Sequence, residues 1–190
     1  MEQGKVLEKT DKSLSEKING FGETLAGKYM TFRLAKEEYG LEILRVKEII
    51  GYMDITKVPK TDDFMRGVIN LRGKVIPVID LRLKFQMAEV PPTEQTVIIV
   101  VQILVGKEEL TMGVIVDEVL EVMDVQSKQI EPPPSFGTSN IDTDFILGVG
   151  KSEERVIFLL DINKVLTIED TEKISSHAQN NNNESMAAMA

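Results

Sequence analysis

Apolar residues in this chain recur mostly with a period of two, which is the pattern of half-buried strands rather than helices. Tyr29-Met-Thr-Phe-Arg-Leu34 alternates in this way. Four further segments are β-branched or aliphatic runs of strand length: Val75–Ile79, Val97–Val105, Gly113–Asp117 and Val156–Leu160. Val97–Val105 is the longest near-apolar run. Gln102 interrupts it, and it falls far short of the roughly 18 residues a membrane span needs. Helical spacing is scarce. Its best instance is Asp161–Thr167, where Asp161 can cap and Ile162, Val165 and Leu166 share a face. A second short turn is expected from Thr61, with Asp62 and Asp63 at its start. Pro77 inside Val75–Ile79 implies an edge or a bulge, which places that strand near a rim.

The strand text repeats. Gly40–Pro59 overlays Gly113–Pro132 without a gap, pairing Val46 with Val119, Glu48 with Glu121 and Pro59 with Pro132. The apolar positions Leu41, Ile43, Ile49 and Ile50 fall on Val114, Val116, Val122 and Met123. Lys-Glu-Glu precedes each copy (Lys36–Glu38, Lys107–Glu109) and reads as a charged hairpin turn. A second block matches in the same order: Gly67-Val68…Val75…Asp80-Leu81 with Gly148-Val149…Val156…Asp161-Ile162. The later copy holds an eight-residue insertion in the stretch around Pro132–Ser139. Two β modules of about 60 residues follow, each burying only about 60% of its unfolded surface and therefore leaning on the other. The expected architecture is all-β: two small barrels side by side, spanning roughly 28–90 and 95–168, with a groove between them and a short C-terminal helix.

The ends read differently. Residues 1–27 form a polar leader in which Lys9–Asn19 has too few spaced apolar residues for a stable helix. Acids punctuate Met1–Glu23 and there is no apolar core of a signal peptide, so a cytoplasmic location is expected. From about Glu169 the chain is polar and then Asn-rich, a composition that predicts a disordered tail over 169–190.

Composition narrows the chemistry. Hydrophobic residues make up 42% and aromatic residues 5%, without Trp, so the core is aliphatic. The net charge of −9 is a poor match for a phosphate backbone and argues against nucleic acid as a partner. The absence of Cys removes disulfides, thiolate catalysis and Cys-based metal sites. The single His, His177, lies in the polar tail, where no fixed partner can make it a base. Ser135, Ser139 and Ser152 therefore lack an activating base, and none sits in Gly-x-Ser-x-Gly. Asp142 and Asp144 lack the further oxygen ligands of a calcium loop and read as a turn before Phe145. Asn70-Leu-Arg-Gly73 is not a phosphate-binding loop, since no Gly-Lys-Ser/Thr follows. Asp80 and Asp161 read as caps. No catalytic constellation, metal site or cofactor site is expected.

What remains is surface for partners. Gly67 and Gly73 bracket a strand and turn from which Arg66 and Arg72 project, and Glu48 is the candidate partner of Arg72. In Glu131-Pro-Pro-Pro-Ser-Phe136 three prolines stiffen a stem. Phe136 then either anchors an interface or folds back to close a barrel end.

Two strings, Glu37–Gly51 and Gly67-Val-Ile-Asn-Leu-Arg-Gly-Lys-Val-Ile-Pro-Val-Ile-Asp-Leu-Arg82, resemble the CheW family, the coupling proteins of bacterial chemotaxis. The likeness runs from about Tyr29 to Leu166. The same domain occurs in the histidine kinase CheA and in CheV, but this chain lacks kinase ATP-binding motifs and a receiver domain. The resemblance implies two intertwined five-stranded SH3-like barrels. It also implies a non-enzymatic adaptor between the CheA regulatory domain and the cytoplasmic tips of methyl-accepting receptors, without membrane insertion. By match to the family motif, Glu48 and Arg72 fall on an acid–base pair that supports receptor coupling. Val46, Ile49, Gly67 and Gly73 fall on neighbouring groove or turn positions, and Phe136 on an aromatic of lateral array contacts. Glu131 stands where relatives can carry a base. An adaptor of a non-flagellar pathway is the alternative; an oligomer-binding barrel fits poorly with few aromatics and an acidic chain.

Overall fold

The apolar run Val97–Val105 is one strand, buried on both faces from Ile98 to Val101, and its two faces serve two different cores. The computed structural model describes residues 20–105, 107–133, 144–152, 155–166 and 170. Among them the strands are β1 (Gly27–Leu34), β2 (Glu37–Glu42), β3 (Val46–Gly51), β4 (Met65–Leu71), β5 (Lys74–Asp80), β6 (Val97–Val105), β7 (Glu108–Val116), β8 (Glu118–Val125), β9 (Ile130–Glu131), β10 (Ile146–Ser152) and β11 (Arg155–Leu160). They form a five-stranded sheet ordered β3-β6-β7-β5-β4 and a six-stranded sheet ordered β8-β1-β2-β11-β10-β9. The two-residue β9 is what makes the second sheet six-stranded rather than five. The five-stranded sheet is called barrel 1 and the six-stranded sheet barrel 2. In barrel 1 the edge strands are drawn together by a bridge between Thr56 and Val68.

The repeat is realised by an exchange of hairpins. The hairpin β1–β2 belongs by position to the first copy but pairs with β8 and β11 of the second. The hairpin β6–β7 pairs with β3 and β5 of the first. Registers match across the copies. Val78 lies opposite Gly113 in the parallel pair β5–β7, and Leu159 opposite Gly40 in the parallel pair β11–β2. Register shifts recur at equivalent places too: Val46/Glu48 against β6 and Met65/Gly67 in one copy, Met30/Phe32 against β8 and Ile146/Gly148 in the other. Each sheet thus takes strands from both sequence spans, 28–90 and 95–168.

Three cores result. Ile98 and Val100 on one face of β6 join Ile69, Ile76, Val78 and Ile115 inside barrel 1. Tyr29, Val125, Ile130, Ile157 and Leu159 fill barrel 2. Ile99, Val101 and Ile103 on the other face of β6 join a central cluster that includes Met30, Phe32, Leu34, Leu41, Met112 and Val114. That cluster is largely the two exchanged hairpins set against each other. The space between the barrels is therefore packed, and the expected groove survives only at the margin of this cluster. Burial on both faces also explains why β6 reads as a continuous apolar run instead of alternating.

Short-range expectations fare variously. Asp80 accepts hydrogen bonds from the amides of Arg82 and Leu83 and starts the helical turn Leu81–Lys84. Asp161 accepts one from the Asn163 amide and starts Ile162–Val165, whose Ile162 and Val165 are buried together with Leu166. The expected short turn after Thr61 forms, with the Met65 amide donating to the Asp62 carbonyl. Pro77 does not mark an edge, because β5 is interior to its sheet. The parallel ladder with β7 begins only at Val78, so no bond from position 77 is required there. The packed unit reaches beyond both expected ends. Phe21 and Leu25 pack on the core of barrel 2, and the Tyr29 hydroxyl donates to the Leu25 carbonyl at 2.7 Å. Asp170 is buried and accepts from Lys84 Nζ at 2.6 Å.

Candidate functional site

Five of the residues singled out in the sequence, Val46, Glu48, Ile49, Arg72 and Gly73, lie on β3 and on the β4–β5 turn. That turn has two central residues, Arg72 and Gly73, with φ of 52° and 85°. Two positive φ values suit the twist of a tight hairpin. Gly73 meets them at no steric cost, while Arg72 is a non-glycine residue in left-handed backbone. Asn70 Oδ1 accepts the Gly73 amide at 2.8 Å and locks the turn.

So held, the Arg72 guanidinium reaches Glu48 in a two-point pair. Nη2 donates to Oε2 at 2.8 Å and Nη1 to Oε1 at 3.1 Å. Because β3 and β4 are opposite edges of barrel 1, this pair spans the seam at one end of the barrel, as the Thr56–Val68 bridge does further along. The Arg72 side chain is 78% exposed, against 27% for Glu48.

The register shift at Val46/Glu48 sets the other members. Without it, residues 46 and 49 would lie on opposite faces of the strand. With it, Val46 lies opposite Val101 and Ile49 opposite Ile99, both of the central cluster. Glu48 and Ile50 turn the other way, toward barrel 1. Val46, half buried, packs at the margin of the interbarrel core, and Ile49 on the same face is 41% exposed. Gly67 is elsewhere. It lies five residues along β4 from Arg72, roughly 16 Å at strand rise. Its φ is +135°, and a Cβ there would stand 2.1 Å from the Thr56 carbonyl oxygen. Its role is to let two backbones meet at the seam.

Arg66 has the acidic partner expected of it, Glu89 at 2.6 Å. Glu131, on β9, pairs with Lys151 at 2.7 Å. Phe136 and His177 lie outside the described residues.

Several residues of this face were not legible in the sequence. Leu44, in the 3-10 turn Ile43–Arg45 that leads into β3, is 85% exposed. The repeat carried a signal for it, since the overlay sets Leu44 on Asp117, an apolar residue where the other copy has an acid. Lys47 and Lys74 flank the Glu48–Arg72 pair, and all four border a hollow of about 220 Å³ at the end of barrel 1.

The arrangement provides a rigid charged turn beside exposed aliphatic side chains, and among the described residues no helix is long and apolar enough to cross a membrane. Buried Asp80 is held above the usual carboxylate range by desolvation, but its oxygen is engaged by the amides of the helical turn it caps.

Comparison with known proteins agrees. The model of the CheW-like domain matches residues 28–170. The chemotaxis protein CheW of Klebsiella aerogenes is 39% identical over 158 residues, covering 83% of this chain and 92% of the relative. That of Bacillus subtilis is 34% identical over 145 residues, covering 76% and 90%. The crystal structure of the scaffolding protein TtCheW from Thermoanaerobacter tengcongensis superposes with a TM-score of 0.67 at 38% identity, covering 76% of this chain and 97% of that one. Paired β subdomains, a shared scaffold and sequence likeness along most of its length together make this chain a member of the CheW family of chemotaxis scaffold proteins.

Proposed function

We propose that this protein is a non-enzymatic adaptor that holds a CheA-type histidine kinase and the cytoplasmic tip of a methyl-accepting receptor in register. The observation that carries this reading is the Glu48–Arg72 pair. It is two-point and set on a locked turn with its arginine open to solvent, and its glutamate lies on the strand that also carries exposed Ile49 and is led into by the turn holding exposed Leu44. A charge on a rigid stem with aliphatic side chains beside it suits a helical hairpin, which buries an apolar stripe and is oriented by polar contacts. The margin of the interbarrel core at Val46, with Ile49 on the same face, is where that stripe lies. A separate β surface on the first barrel joins the matching domain of the kinase, while Phe136 and Glu131 serve the lateral contacts of the array. Coupling then arises because both partners bind one stiff body whose barrels share a packed core. The adaptor works in the cytoplasm, takes no cofactor and breaks no bond.

The test is capture of purified partners from one organism. The full chain is immobilised and offered the receptor cytoplasmic fragment and the kinase regulatory domain, singly and together. Retention of both at once is expected. Failure to retain the receptor fragment would refute the reading.

A further inference from the structure

We propose that the hollow at the end of barrel 1 is an anchor pocket for one aliphatic side chain of an acidic helical partner segment. The inference deepens the coupling reading and rests on it. The floor is Leu71, Ile76 and Val100, and the last two belong to the core of barrel 1, with exposures of 4% and 1%. Thr111 of β7 forms a wall. A volume of about 220 Å³ is smaller than the roughly 300 Å³ at which small-molecule pockets begin, and it suits a single side chain inserted from a partner.

The rim selects charge. Lys47, Arg72 and Lys74 face one carboxylate, Glu48, in a chain whose net charge is −9. A locally cationic mouth over an apolar floor fits an aliphatic residue flanked by carboxylates.

The second copy supplies an internal comparison. In the matching registers Thr111 and Glu38 each stand two residues before the equivalent Gly113 and Gly40, and Val100, opposite Glu48, corresponds to Thr31, bonded to Glu121. There the equivalent ground carries polar groups. The Glu38 carboxylate, 16% exposed, lies 3.6 Å from Arg155, which pairs with Glu121 at 2.7 Å. Thr31 is fully buried, with its hydroxyl donating to the Glu121 carbonyl. Barrel 1 has the short Thr111 and the apolar Val100 at those positions, and both line its hollow.

The test uses the full chain with the receptor cytoplasmic fragment of the same organism. Methyl NMR should show Ile76, Val100 and Leu71 shifting on saturation. Thr111→Met, which fills the hollow, should weaken binding at least tenfold and leave the melting temperature within about 2 °C. Lys47→Glu with Lys74→Glu should weaken binding comparably and flatten its salt dependence. If wild type binds while Ile76 and Val100 methyls stay still, or if folded Thr111→Met binds at full affinity, the anchor pocket is excluded and receptor coupling stands. If wild type does not bind the fragment at all, both fall.

Discussion

Arg72 separates function from stability more cleanly than any other residue of the site. Arg72→Ala removes both hydrogen bonds to Glu48, at 2.8 and 3.1 Å. With the arginine 78% exposed, the pair is worth about 0.2–1 kcal/mol to the fold. The φ of 52° remains strained in the alanine variant. Arg72→Gly loses the same pair but relieves about 1 kcal/mol of left-handed backbone cost, so its stability should equal or slightly exceed wild type. Both variants should therefore unfold within about 1 kcal/mol of wild type, or about 2–4 °C in melting temperature for a fold of this size. Binding behaves differently. A charge pair covered by a partner costs about 2–5 kcal/mol when one member is truncated, which is roughly a 30-fold loss or more. Urea unfolding gives the first quantity and calorimetric titration with the receptor fragment the second. Adding Glu48→Gln and the double variant completes a cycle, whose coupling energy should appear in binding and nearly vanish in stability. A loss of more than 3 kcal/mol of fold stability in Arg72→Ala would refute the reasoning, as would wild-type affinity in the folded variant.

Other outcomes follow from the same geometry. Gly67→Ala should cost about 3 kcal/mol or more, because its Cβ would stand 2.1 Å from a backbone oxygen, whereas Gly73→Ala, with open space and only a positive φ, should cost about 1 kcal/mol; thermal melts compare them. Asp170→Asn leaves the largely buried Lys84 ammonium without its carboxylate and should lower the unfolding free energy by about 3 kcal/mol, while Lys84→Met with Asp170→Leu should recover most of it in urea titrations. Burial, with Glu42 adding to it, pushes the Tyr29 hydroxyl up to about 12, so the folded state keeps a proton that the unfolded chain loses near pH 10. Stability should fall as pH rises from 10 to 12, and Tyr29→Phe should remove that share of the fall, followed by unfolding at each pH alongside tyrosinate absorbance. Phe136→Ala should keep binding of both partners yet disturb the spacing of reconstituted arrays seen by electron microscopy.

Strand content, the two-copy repeat, the Asp80 and Asp161 caps and the Glu48–Arg72 partnership were all legible in the residues, because each depends on contacts that short-range pattern or chemical complementarity encodes. Residues 46 and 49 show where that reading stops. Strict alternation puts them on opposite faces, and only the register shift against β6 sets both opposite residues of the central cluster, Val101 and Ile99. That Gly67 is a seam residue was equally out of reach, since the carbonyl it must clear comes from Thr56 on another segment. The hollow beside Arg72 needed five strands, β3 to β7, in place before it existed.

Sequence alone determined that two similar β modules would form and that neither could bury itself unaided. Tertiary structure decided which hairpin went to which barrel. Each hairpin has apolar residues that either set of partner strands could cover, so local pattern cannot choose between keeping and exchanging them. The choice rests on the sum of long-range packing, with both hairpins' second faces buried against each other in the central cluster, and that sum is a property of the assembled chain.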